Sequence, residues 1–161
     1  MPTTTTNPSA TTTSQKTIIS KILVAIDGSD ASMDAADYAI FISKKYNAEL
    51  YALHVIHPAD VDLLPGPAQT SAYSLVMNTN KESEDYLNKV KLKANEYDIT
   101  IKTEVIAAIN VAEGIVDYAV GKNMDIIVVG TRGKSGIKRV LLGSVAANVV
   151  NYAHSPVLVI K

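Results

Sequence analysis

Three glycines and a serine carry the first chemical signal in this chain. Gly130, Gly133, Gly143 and Ser144 are spaced as Gly-x-x-Gly, nine residues, then Gly-Ser. They follow the apolar run Ile126-Ile127-Val128-Val129, which reads as a strand buried on both faces. They precede Val145, Ala146, Val149, Val150 and Ala153, which recur at helical spacing. A glycine-rich turn between a strand and a helix N-terminus holds phosphate, because free backbone N–H groups and the helix dipole both meet the anion. Arg132, Lys134, Lys138 and Arg139 add four cations to this stretch, in a chain of net charge −1. A triphosphate suits such a local excess. A solvated basic loop with turn glycines has the same composition, and it is the flanking strand and helix that favour the phosphate reading.

Two better-known phosphate motifs are absent. Walker A requires Gly-x-x-x-x-Gly-Lys-Ser/Thr. Here Gly130-Thr131-Arg132-Gly133-Lys134-Ser135 places only two residues between the glycines. Gly-x-Gly-x-x-Gly is missing as well, so the dinucleotide fingerprint fails. A second chemical group ends the first apolar run, Ile22-Leu23-Val24-Ala25-Ile26, at Asp27-Gly28-Ser29. A carboxylate at the C-terminal end of a parallel strand lies where open α/β sheets bind ligands. Asp27 as a simple turn cap fits the sequence equally well. His54, His57, Asp60 and Asp62 raise the question of a metal, but they lack the helical His-x-x-x-His spacing of zinc enzymes, and no metal site is expected. His54-Val55-Ile56-His57 also fails His-x-Gly-His, the pattern of nucleotidyl transferases, because Ile56 stands where that pattern has glycine.

These groups need a scaffold, and the pattern supplies one. With 161 residues, 47% hydrophobic and 19% charged, the chain has the composition of a globular protein of about one domain. A pI near 6.3 argues against nucleic acid as the main partner. No cysteine is present, which excludes disulfides, and no apolar run approaches the ~18 residues of a membrane span. Residues 1–17 hold eight threonines and no apolar core of signal-peptide length, so a dispensable tail and a cytoplasmic location are expected, with a domain over 18–161. Strands are expected at 22–26, 49–56, 99–106, 125–130 and 156–160, and helices over 31–46, 73–97 and 111–120 and after Ser144. Asn78-Thr79-Asn80 could break the first half of the 73–97 helix. The loop at 58–72, with Pro58, Pro65, Gly66 and Pro67, is long enough to act as a lid over a ligand. Five alternations of strand and helix predict an α/β fold: a five-stranded parallel sheet with helices on both faces. Asp27 and Gly130 then share one crevice if the strand order is 3-2-1-4-5.

The glycine spacing resembles the ATP-binding signature of the universal stress protein family. The likeness extends over Lys21–Lys161, through Ile-Leu-Val-Ala-Ile-Asp-Gly-Ser (22–29), Leu-His-Val-Ile (53–56), Leu-Leu-Gly-Ser-Val-Ala (141–146) and Pro-Val-Leu-Val-Ile-Lys (156–161). The resemblance implies an adenine nucleotide alpha hydrolase-like fold. It implies that Ala25 and Val55 line an adenine pocket, that Asp27 meets the ribose or adenine side, and that Val129 and Gly130 touch the nucleoside. Gly133, Gly143, Ser144 and Val145 would hold the phosphates. A phosphate role for Arg132 and Lys134 is inferred from their charge and place alone. Ala108-Ile109-Asn110 departs from the family, many of whose members carry glycine and proline before the third helix.

A short apolar edge strand, Val157–Ile160, would pair or aggregate unless covered. A second copy covers it in a two-fold dimer, as family resemblance also implies. The expected function is therefore an ATP-binding, stress-related regulatory homodimer, with Mg²⁺ arriving with the nucleotide. No catalytic residues are assigned, so hydrolysis should be slow. A slow ATPase or nucleotidyl-transferring enzyme, and a scaffold dimer without nucleotide, are the alternatives.

Overall fold

A computed structural model describes residues 19–57, 71–133 and 142–161, with the backbone alone over 71–80. The threonine-rich tail, the 58–70 segment with Asp60 and Asp62, and Lys134, Lys138 and Arg139 lie outside the described residues.

Five strands and four helices alternate along the chain. They are β1 (Lys21–Ala25), α1 (Asp30–Tyr46), β2 (Glu49–Ile56), α2 (Ser71–Glu96), β3 (Ile101–Ala107), α3 (Val111–Gly121), β4 (Ile126–Gly130), α4 (Ser144–Tyr152) and β5 (Val157–Ile160). The sheet is wholly parallel, in the order β3-β2-β1-β4-β5. This is the fold class and strand order expected from the sequence.

The order follows from burial. β1 and β4 each bury all three inner residues, whereas the equally apolar β5 is mostly half-buried, and the two pair at the centre, Ile22 with Ile126, Leu23 with Ile127 and Val24 with Val128. Alternate residues of each strand point to opposite faces. Ile22, Val24, Leu50, Ala52 and Val128 join the core under α1 and α2. Leu23, Tyr51, Leu53, Ile127 and Val129 join the core under α3 and α4. The chain thus leaves β1 towards one face and leaves β4 towards the other. The two strands flank the switch point, where parallel sheets open a crevice at their C-terminal ends.

Several details differ from the sequence reading. α2 runs unbroken from Ser71, through Asn78-Thr79-Asn80. Helical context there overrides the weak propensity of three polar residues. Ile99 precedes β3 and packs against the core from a turn in which Asp98 has φ 60°. Of the apolar stripe on α4 only Ala146 and Val149 are buried, and Val145 and Val150 are exposed. Asp125 is not a strand residue; its carboxylate accepts from Ser20 N–H, Ser20 Oγ and Lys21 N–H at 2.6–2.9 Å, tying the start of β1 to the start of β4.

Gly130 shows how tightly the site end is packed. A Cβ there would lie 2.6 Å from the carbonyl carbon of Ala31 and 2.7 Å from its oxygen. The first turn of α1 therefore rests directly on the end of β4. Gly130→Ala should cost about 1–3 kcal/mol of stability in urea unfolding, because backbone must move. Gly121→Ala, at the open end of α3 with nothing within 4 Å, should instead be stabilising by about 0.5–1 kcal/mol. Equal effects at the two positions would contradict this packing.

Candidate functional site

Two loops and a helix start meet above the switch point. The first leaves β1 as Ile26-Asp27-Gly28-Ser29 and enters α1. Ser29 is the N-cap of α1, its Oγ accepting from Ser32 N–H at 3.2 Å, as the orphan amides of a helix start require. Its hydroxyl also lies 2.6 Å from Asp27 Oδ1 and 3.1 Å from the Arg132 carbonyl, either of which it can donate to. Ser29 N–H donates to the same Asp27 oxygen at 3.0 Å. One serine thus fixes the Asp27 carboxylate, starts a helix and contacts the loop after β4.

That second loop is fixed by backbone bonds. Thr131 N–H donates to the Ile160 carbonyl at 2.6 Å, continuing the β4–β5 ladder one residue past the strand. The Thr131 carbonyl accepts from Gly143 N–H at 2.7 Å. The residues that enter and leave the loop are therefore held side by side. A Cβ on Gly143 would sit 3.1 Å from that carbonyl, tighter than ordinary contact. A Cβ on Gly133 would sit 2.6 Å from Asp27 Oδ2. Glycine at 133 is what lets the β4 loop approach the carboxylate on the β1 loop.

The third contribution is the start of α4. Gly143 occupies its N-cap and has no side chain to bond the first-turn amides. Asn110, by contrast, caps α3 with its own oxygen, accepting from Ala112 and Glu113 N–H. Of these two helix starts, α4 alone lacks a side-chain cap, and it is the one beside the glycines.

Between these loops lies a cavity of about 120 Å³. Its apolar wall includes Ala25, Val55 and Val129, and its polar side includes Asp27, Arg132 and Ser144. Gly130, Gly133, Gly143 and Val145 also border it, so the ten described residues expected to bind the nucleotide share this one space, while Lys134 lies outside the described residues. A wider cavity of about 570 Å³ opens on the α1 side of the same turn and shares Thr131, Arg132 and Gly133 with it.

Other lining residues went unnoticed in the sequence. Val111 and Ile115, four residues apart on α3, close the apolar end with Leu53. Their helical spacing was legible, but not that it turns towards the cavity. Thr131 is buried and acts through its backbone, which leaves no trace in the sequence. His54 belongs to β2, and its Nδ1 donates to the Ile26 carbonyl at 2.6 Å. Among the described residues no group of three His, Cys, Asp or Glu could hold a metal.

The clearest pKa shifts lie away from this cavity, in an ion-pair network on the β2–β3 edge. A hydrogen bond from Lys102 holds the Glu49 carboxyl below its usual range. Burial, helped by a hydrogen bond with Glu104, pushes the Tyr118 phenol up. These groups fasten an edge strand and do not mark a second reactive centre.

Residues 19–161 match the model of the universal stress protein family. Universal stress protein MJ0531 of Methanocaldococcus jannaschii is 43% identical over 142 residues, covering 88% of this chain and 81% of that protein. The solved structure of MJ0577, from the same organism, superposes with a TM-score of 0.76 at 27% identity, covering 89% of this chain and 96% of that one. A universal stress protein solved in complex with cAMP superposes with a TM-score of 0.61 at 27% identity, over 88% of this chain and 96% of that one.

Proposed function

The chain belongs to the universal stress protein family, and on that premise we propose that it is an ATP-binding regulatory protein of the stress response, acting as a homodimer. The observation that carries this reading is the meeting of Asp27, Gly133 and the uncapped start of α4 at one cavity. The apolar end, between Ala25, Val55 and Val129, suits a purine ring. Asp27 is placed to accept hydrogen bonds from a ribose. Amides at Gly133, Ser144 and Val145 suit the phosphates, which meet the positive end of the α4 dipole there, while Gly143, its N–H bonded to Thr131, shapes the turn that presents them. Arg132 adds a full positive charge on the same side. A cavity of about 120 Å³ is well below the roughly 300–1,000 Å³ of a whole-ligand pocket. It suits the base, with the phosphates running out along the turn.

The fit of this ligand rests on this chain's own geometry: a Cβ at Gly133 or Gly143 would invade the space beside the carboxylate or the helix start. A solved relative in complex with cAMP supports an adenine nucleotide as the ligand class. Mg²⁺ would come with the triphosphate, neutralising part of its charge. Binding rather than turnover is the proposed activity, since Asp27 is the one carboxylate among the described residues lining the cavity and Ser29 already holds it. A cytoplasmic site of action belongs to the same proposal; among the described residues no helix is long and apolar enough to cross a membrane.

The dimer reading rests on a contrast between the two sheet edges. β3 carries Lys102 and Glu104, paired with Glu49 and Lys122, and such charges discourage strand addition. β5 is Val-Leu-Val-Ile with no charge. The carbonyls of Pro156 and Ile160 face β4, so by the strand period of two the N–H groups of Val157 and Val159 face the free edge. A second β5 is the partner that matches it.

Denaturing the purified protein and resolving released nucleotide by chromatography tests the ligand. Adenine nucleotide should be released by the wild type, or ATP should bind on addition. Gly143→Val should lower ATP affinity at least tenfold while far-UV circular dichroism stays unchanged. Unaltered affinity in that variant would remove the assignment. For the dimer, Val159→Pro deletes an edge N–H without costing a β4 bond. Sedimentation should show dimer for the wild type and monomer for the variant; a monomeric wild type would end the dimer reading.

A further inference from the structure

The residues that fix Asp27 from inside the crevice are matched by two that hold its loop from outside. Gly28 has φ 81°, a left-handed conformation that suits glycine. The place a Cβ would take there is filled by the ring of Tyr86 from α2, whose Cδ1 and Cζ would lie 2.6 Å away. The Tyr86 ring in turn meets the His54 ring edge-on, centroids 6.0 Å apart at 61°. His54 Nδ1–H donates to the Ile26 carbonyl at 2.6 Å. A carbonyl can only accept, so this contact fixes the imidazole tautomer. The residues before and after Asp27 are therefore each covered, one by a hydrogen bond from β2 and the other by a ring from α2.

We propose that Tyr86, braced by His54, is a positioning residue for the nucleotide cavity: it clamps the Gly28 turn and so sets the Asp27 carboxylate against Gly133. The turn is tied by side-chain bonds, from Ser29 N–H to Asp27 Oδ1 and from Asp27 N–H to Ser32 Oγ, and its left-handed glycine has many alternative conformations. Without the ring, the turn can relax into the space Tyr86 fills. Asp27 Oδ2 lies so close to Gly133 that a small rotation of the loop changes the shape of the polar side of the cavity. The effect belongs to the ring. The Tyr86 hydroxyl points away, to Glu82 Oε2 at 3.2 Å on the exposed side of α2. Coupling of this kind is reciprocal, so a ligand that draws on Asp27 also acts on how α2 is seated.

The ligand half of this inference rests on the adenine-nucleotide reading above, whereas the clamp itself does not. Three variants separate them: Tyr86→Ala, Tyr86→Phe and Leu87→Ala. Leu87 is the buried neighbour on the same helix, so its truncation destabilises α2 packing without touching Gly28. ATP titrated calorimetrically should bind Tyr86→Ala at least tenfold more weakly than wild type. Tyr86→Phe and Leu87→Ala should both stay within about threefold, although Leu87→Ala loses as much stability or more. In the ligand-free proteins, the ¹⁵N-amide signals of Ser29 and Gly133 should move in Tyr86→Ala and stay in place in Tyr86→Phe. His54→Asn, which keeps a donor for the Ile26 carbonyl, should perturb them less than His54→Ala. Should Leu87→Ala weaken ATP as much as Tyr86→Ala, or the Gly133 amide ignore the loss of the ring, the clamp is wrong. A wild type that binds no ATP, with the amide shifts as expected, would overturn the ligand and leave the clamp standing.

Discussion

The hydrogen bond from Gly143 N–H to the Thr131 carbonyl, 2.7 Å long, is the constraint on which the site depends. It brings together the end of β4 and the start of α4, the two ends of the loop that carries Arg132 and Gly133. Three neighbours reinforce it. Thr131 N–H is tied to the last residue of β5, Ser29 Oγ reaches the Arg132 carbonyl, and Gly133 rests against Asp27. Each bond is worth only about 0.5–1.5 kcal/mol net. Their shared effect is positional: loops from both central strands are fixed relative to one another to within hydrogen-bond geometry.

That fixing is possible because the sheet beneath is rigid. β1 and β4 bury Ile22, Leu23, Val24, Ile127, Val128 and Val129 almost completely. Two apolar cores, one on each face, leave these strands no alternative register, since a one-residue slip would exchange the faces. Loops can therefore carry the polar side of the site, while the strands supply direction, spacing and the apolar wall of Ala25, Val55 and Val129. The same logic extends outward from the crevice to α2, where the Tyr86 ring lies against Gly28 and His54 bonds the Ile26 carbonyl.

Much of this was legible in the sequence because apolar runs and glycine spacing are local signals. Alternation of elements implies the parallel sheet, whereas the strand order is an inference from the fold type, and the observed pairing matches it. What sequence could not supply was the reason for each glycine. Gly130 reads like a ligand contact, but its missing side chain makes room for the Ala31 backbone. Gly133 does face a site group, and nothing in the spacing separates the two cases. Thr131 works through its main chain and Ser29 through three different partners, so neither announces itself by type. His54 invites a metal reading by its proximity to His57, yet its ring is engaged with a backbone carbonyl and Tyr86. The exposure of Val150 was settled by tertiary packing, which propensity and periodicity do not encode.

The central claim is that the turn after β4 and the start of α4 present their amides to an anion beside Asp27. Backbone ¹⁵N–¹H spectra recorded during titration with ATP and Mg²⁺ read those amides one at a time. Saturable shifts are expected at Gly133, Ser144 and Val145 for the phosphates and at Gly143 as its bond to Thr131 responds, with smaller ones at Asp27 and Val55 for the nucleoside. ATP binding that leaves those four amides unmoved, or moves amides only on the β3 side of the sheet, would contradict the account.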